Sequence, residues 1–137
     1  PRRRRYMNQY QLRVYYEDTD AQGVVYYANY LKFFERARTE FLRHAGYQQM
    51  QLMKEGIIFV VRGLELTLHK PARLDDQLLI NTELDKLGKV SFNFIQKAYL
   101  EDELISEAHV RCGSLDPVTF KPASLPEYLH TGMKKLL

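Results

Sequence analysis

The residues whose types and spacing could do chemistry gather in one short run, Tyr15-Tyr16-Glu17-Asp18-Thr19-Asp20-Ala21-Gln22-Gly23-Val24-Val25-Tyr26-Tyr27-Ala28-Asn29-Tyr30. Three carboxylates, Glu17, Asp18 and Asp20, stand in a loop that opens directly onto a helix start. Read plainly, Glu17 and Asp18 make a solvated turn, and acidic groups there favour the helix dipole. Read chemically, a carboxylate and free backbone N–H groups converge on one spot. Hydrolysis of an acyl group needs that pair, a nucleophile or base together with donors for a developing oxyanion. Gly23, with no Cβ, would let the backbone come close to a ligand.

Other catalytic devices are absent from the sequence. There is no Gly-x-Ser-x-Gly elbow, no Gly-x-Gly-x-x-Gly and no phosphate-cradling glycine loop. His44, His69, His109 and His130 are scattered, without a spacing that would hold a metal, and each reads as a surface or strand residue. No metal and no cofactor is expected. Cys112 alternates with Ala108 and Val110 and reads as a buried structural thiol. As the one cysteine it rules out an internal disulfide and suits a reducing compartment, so the cytoplasm is the expected location.

The elements that must position the acidic run can be read from periodicity. Tyr10, Leu12, Val14 and Tyr16 alternate with polar neighbours as a strand does. Tyr30, Phe34, Ala37, Phe41 and Ala45 step by four, three, four and four, one apolar stripe of a long helix with Asn29 as N-cap and Gly46 as its stop. Lys32, Arg36, Thr39 and Arg43 fall on the solvent side. Arg38 falls inside the apolar arc and needs a partner, either an acidic loop residue or a neighbouring subunit. After a short amphipathic piece, Gln48–Lys54, four more ladders follow: Leu64/Leu66/Leu68, Leu78/Ile80/Thr82/Leu84, Phe92/Phe94/Gln96/Ala98 and Ser106/Ala108/Val110/Cys112. Pro117, Pro122 and Pro126 precede a terminal helix near Glu127–Leu136. Short links favour antiparallel neighbours, and the helical stripe must be buried against the sheet. The fold class is therefore α+β, a hot dog in which a five-stranded antiparallel sheet wraps one long helix.

The chain has 137 residues, 45% of them hydrophobic and 27% charged, which suits one soluble domain. No apolar run approaches the roughly 20 residues of a membrane span, and no apolar stretch follows Arg2–Arg5 as in a signal peptide. The net charge of +3 is a property of the start: without those four arginines, 16 basic residues face 17 acidic ones. Residues 1–9 read as a flexible basic tail, solvated or touching nucleic acid or a membrane surface, and 10–137 as the domain. No base-reading module supports nucleic acid as a partner.

The block Arg13–Arg43, with Tyr-Tyr-Glu-Asp-Thr-Asp, Gly-Val-Val-Tyr-Tyr-Ala-Asn-Tyr and Phe-Glu-Arg-Ala-Arg-Thr-Glu-Phe-Leu-Arg, closely resembles the Tol–Pal-associated (YbgC-like) acyl-CoA thioesterases of the 4-hydroxybenzoyl-CoA thioesterase family. Phe59-Val60-Val61-Arg62, Pro71-Ala72-Arg73-Leu74-Asp75-Asp76 and Lys121-Pro122 extend the resemblance over most of the chain beyond residue 10. It implies hydrolysis of acyl-coenzyme A, or of an acyl carrier protein thioester. The catalytic aspartate falls on Asp20, the carbonyl-polarising backbone amide on the helix start at Tyr27, and an implicated tyrosine on Tyr16. Gly23 and Ala28 would flank the substrate, and Arg73 and Lys89 are candidate cations for coenzyme phosphates. Many YbgC-like members carry His where Tyr27 stands, so an imidazole base there is excluded. Asp20 acts as nucleophile or as general base. The resemblance also implies a homodimer or homotetramer, with Asp20 of one chain facing the helix start of its neighbour. Ile95, Tyr99 and Ile105 are the outward apolar residues that such an assembly would cover. Two other readings stand beside it. A hot-dog hydratase or dehydratase requires a His with an acidic partner, and the acidic run holds no His. A non-catalytic acyl or acyl-carrier-protein binding module would have no use for Asp20.

Overall fold

A computed structural model describes residues 5–137. Its first strand (β1, Met7–Arg13) begins three residues before the expected start at Tyr10. Met7 lies opposite Glu83 and Gln9 opposite Asn81, and Arg5 reaches Asp85 at 3.3 Å. Residues 7–9 therefore belong to the domain and not to a tail, because backbone pairing at a sheet edge needs no apolar side chains. The arginines Arg2–Arg4 lie outside the described residues.

The long helix (α1, Asn29–His44) buries Tyr30, Phe33, Phe34, Ala37, Phe41 and Leu42. Its stop is at Gly46 as expected. Gly46 has φ +101°, its N–H donates to Arg43 O at 3.0 Å, and the Tyr47 N–H donates to Leu42 O at 2.7 Å, closing the helix end. Its start differs from the expectation. Ala28 occupies the N-cap position, and Asn29 is the first helical residue. The Asn29 side-chain amide donates instead to Asp18 O at 2.9 Å, tying the helix to the acidic loop.

A short helix (α2, Gln49–Lys54) leads into four strands, β2 (Ile58–Leu68), β3 (Gln77–Leu87), β4 (Ser91–Leu100) and β5 (Glu103–Leu115), and a last helix (α3, Glu127–Lys134). All neighbours pair antiparallel in the order β1-β3-β4-β5-β2. The predicted inner faces of β3, β4 and β5 are all buried, in the core that the apolar stripe of α1 also enters, which gives the hot-dog arrangement. Arg38 finds a partner that is neither acidic nor on another chain. It donates to Gln96 Oε1 at 3.0 Å, and Gln96, fully buried, donates from Nε2 to Phe34 O at 2.9 Å and Thr82 Oγ1 at 3.0 Å.

Bulges alter two faces. Between Ala98 and Tyr99 the β4–β5 register slips, leaving Ile105 unpaired across the ladder and buried, not outward as its position suggested. Ile95 and Tyr99 are half-buried. Among the more exposed apolar residues are Leu31 on α1 and Val61, Leu64 and Leu68 on β2.

Candidate active site

The acidic run folds as a 3-10 turn (Tyr16–Asp18) and a tight hairpin. Asp18 Oδ2 accepts the Tyr15 N–H at 2.8 Å, and the Asp18 main-chain carbonyl accepts the Tyr26 N–H at 3.0 Å, so this residue ties the loop together through both its side chain and its main chain. The Asp20 N–H donates to Val24 O at 2.9 Å, and Asp20 O accepts the Gly23 N–H at 3.0 Å. Asp20 Oδ1 accepts the Gln22 N–H at 2.9 Å, while Oδ2 takes no hydrogen bond among the described residues. Gly23 stands at φ +80° with no neighbour near a would-be Cβ. Its glycine serves the turn, not a close approach. Val25 N–H to Ala72 O at 2.8 Å and the Val24–Arg73 bridge fasten the hairpin to the link before β3.

At the helix start, the N–H groups of Asn29, Tyr30 and Leu31 donate to the carbonyls of Tyr26, Tyr27 and Ala28. Those of Tyr27 and Ala28 have no partner among the described residues, as helix-start donors generally lack one within the helix. The Tyr26 and Tyr27 rings lie 4.9 Å apart, and a hydrogen bond with Tyr27 holds the Tyr26 phenol above its ordinary pKa. Burial raises that of Tyr30.

Asp20, Tyr26, Tyr27 and Tyr30 line one cavity of about 500 Å³ with Leu68, His69 and Lys70. Asp20 and the helix start of the same chain thus both line it, where the sequence reading expected the helix start of a neighbour. Tyr16 does not line the cavity and is 83% exposed. Arg73 adjoins it only through the bridge to Val24, its own N–H donating to Asp76 Oδ2 at 2.8 Å. Lys89 lies in the β3–β4 turn, at the far end of the sheet from Asp20 within one chain, its carbonyl accepting the Leu125 N–H. Cys112 is buried, its thiol pushed up to about 11 by desolvation, with Arg38 opposing.

Sequence reasoning missed His69 and Lys70. His69 Nε2 meets Glu107 Oε2 at 2.8 Å, and Lys70 pairs with Glu103. Glu107 lies 38 residues from His69, brought alongside because β2 and β5 pair in a register that sets Thr67 opposite Glu107. Only that register could have signalled the pair.

A helix wrapped by a five-stranded antiparallel sheet, with an acidic hairpin at the helix start, defines the hot-dog class. The chain belongs to the thioesterase superfamily, whose family model matches residues 22–110. That span includes the helix start, and Asp20 stands just before it. An Escherichia coli O6:H1 protein, acyl-CoA thioester hydrolase YbgC, is 46% identical over 90% of this chain and 93% of its own length. Acyl-CoA thioesterase YbgC of Haemophilus influenzae is 42% identical over 85% of this chain and 86% of its own. The crystal structure of a DHNA-CoA thioesterase from Staphylococcus aureus has the same fold, with TM-score 0.91 at 24% identity over 96% of this chain and 91% of that one.

Proposed function

We propose that this protein hydrolyses acyl-coenzyme A thioesters, with Asp20 as nucleophile or general base and the Tyr27 N–H as donor to the developing oxyanion. One observation carries the reading: a carboxylate oxygen without a partner and a helix-start N–H without a partner, among the described residues, belong to two residues that line the same cavity. Such a donor is typically worth about 10²–10³ in rate. A thiol of pKa about 8.5 leaves readily as thiolate, so no strong general acid is needed. The relatives named acyl-CoA thioester hydrolases support the substrate class. The resemblance supports Tyr16 as a third participant, and among the described residues no side-chain hydrogen bond holds its exposed phenol away from a bound substrate.

The proposal extends to the setting. A single buried thiol suits the cytoplasm, and the Arg13–Arg43 block supports membership of the Tol–Pal-associated branch, with acyl carrier protein as a second carrier. Among the described residues no helix is long and apolar enough to cross a membrane. A second copy of the chain would cover Leu31, Val61, Leu64 and Leu68 and pair the open edge of β2.

The test is Asp20→Asn against a panel of acyl-CoAs with a thiol-detecting reagent. kcat should fall by several orders of magnitude with KM little changed. A variant keeping more than about a tenth of the wild-type kcat would overturn the assignment.

The His69–Glu107 pair favours one competing reading, since hydration of an enoyl thioester needs a His with an acidic partner on the cavity. Loss of enoyl-CoA absorbance in the wild type, abolished by His69→Gln and unaccompanied by thiol release, would establish it instead.

A further inference from the structure

A second recess, of about 460 Å³, lies on the outer face of the sheet and is lined by Arg62, Ser91, Asn93, Arg111 and Cys112. Arg62 lies within the register slip between Val61 and Gly63, which turns it onto that face. The register sets Gly63 opposite Arg111, Arg111 opposite Asn93, and Gly113 opposite Ser91. The two glycines are the floor. A Cβ at Gly113 would come within 2.9 Å of the Arg62 side chain, and one at Gly63 would collide with the Arg111 guanidinium. Each arginine thus lies flat across the neighbouring strand where the side chain is missing.

No carboxylate lines the recess. Among the described residues neither guanidinium has an acidic partner within 4.0 Å or donates a hydrogen bond, and the Ser91 and Asn93 side chains make none. Two like charges held side by side without a counter-charge repel. Their planar donors match the oxygens of a phosphate two at a time. A volume in the usual range of small-molecule sites leaves room for more than a bare phosphate.

We propose that this recess binds a phosphate-bearing small molecule, a phosphomonoester or diphosphate, between Arg62 and Arg111. It is distinct from the Asp20 cavity. Arg62 and Leu68, which lines that cavity, are six residues apart on β2, roughly 20 Å, and the recess opens on the opposite face of the sheet. Two sources share this chemistry: the nucleotide end of an acyl-CoA, which rests on the thioesterase reading, and a free phosphate compound, which does not.

The experiment titrates the full chain with inorganic pyrophosphate and with adenosine 3′,5′-bisphosphate. Arg62→Gln and Arg111→Gln should each weaken both probes by about tenfold or more, and the double variant should lose them. The charge-keeping pair Arg62→Lys and Arg111→Lys should bind with intermediate affinity, which guards against misfolding in the glutamine variants. KM is then measured for an acyl-CoA and for the matching acyl-pantetheine, which lacks the nucleotide. A rise confined to acyl-CoA assigns the substrate's own phosphates. Lost probe binding with both KM values unchanged assigns a free phosphate ligand. Wild-type affinity in the double glutamine variant, or no binding of either probe to the wild type, overturns the site. Inactivity of the wild type toward every acyl-CoA would instead sink the thioesterase reading, and the probe titrations would stand.

Discussion

Tyr27 is assigned a role for its main chain, so its side chain should be replaceable and its N–H should not. Tyr27→His should keep activity within roughly tenfold, whereas Tyr27→Pro, which removes the donor, should lose on the order of 10²-fold or more with the fold intact by circular dichroism. Equal, severe losses would assign the role to the phenol. A second prediction at this scale concerns Cys112. Its thiol moves from an ordinary 9.0 to about 11 in the folded chain, so the folded state holds the proton more tightly than the unfolded one. The associated stability is fully present below about pH 9 and is lost as pH rises to about 11, a change of roughly 3 kcal/mol at most. Cys112→Ala should flatten that part of the alkaline stability curve relative to wild type, measured by urea unfolding at successive pH values. A parallel pair of curves would show that the thiol does not couple to folding. The contrast between Asp20 and His69 shows what was legible at residue scale. Asp20 and Tyr27 are seven residues apart along the chain, so local spacing already joins them. His69 reaches the same cavity only through strand pairing, which no local pattern carries.

At the scale of elements, alternation and the α1 stripe were enough to predict five strands and the buried faces of β3, β4 and β5, because each residue type answers to burial on its own side of the sheet. In the first ladder the alternation runs too far, since Tyr16 lies past β1 in the 3-10 turn and is exposed. Register slips were not legible. Ile105 and Arg62 each sit at a bulge that changes the face they present, and a bulge is set by backbone pairing with a strand tens of residues away. The Arg38 partner was hidden for the same reason. Gln96 reads as one more inward position of β4, yet it joins α1 to β3 and β4 through Arg38, Phe34 and Thr82. Gln96→Leu should therefore cost about 2–3 kcal/mol, because it strands the Arg38 guanidinium in a desolvated position. The double variant Arg38→Met with Gln96→Leu should recover more than half of that loss in urea unfolding. Additive losses would mean that the pair is not coupled.

For the whole molecule, the open edge of β2 and its flank set the argument. β2 is an edge strand of eleven residues, and on its inner side Leu64 and Leu68 are 39% and 46% exposed beside Leu31 and Val61. An unpaired edge with apolar neighbours is a template for another chain, and a second copy laid antiparallel along it gives a closed, symmetric dimer. The expected result is a dimer at micromolar concentration by sedimentation, shifted toward monomer by Leu64→Glu. Such a dimer makes a further, sharper prediction about how the sites are built. Were Asp20 of one chain to work with the helix start of its neighbour, mixing Asp20→Asn and Tyr27→Pro subunits would create one intact site in every mixed dimer. Random exchange would then restore about a quarter of wild-type activity. The cavity instead joins Asp20 and Tyr27 of the same chain, so each mixed dimer should contain one site without its carboxylate and one without its donor. Re-equilibrated mixtures should stay as inactive as either parent. Recovery near a quarter would show that the neighbouring helix start, and not the one seven residues downstream, completes the site.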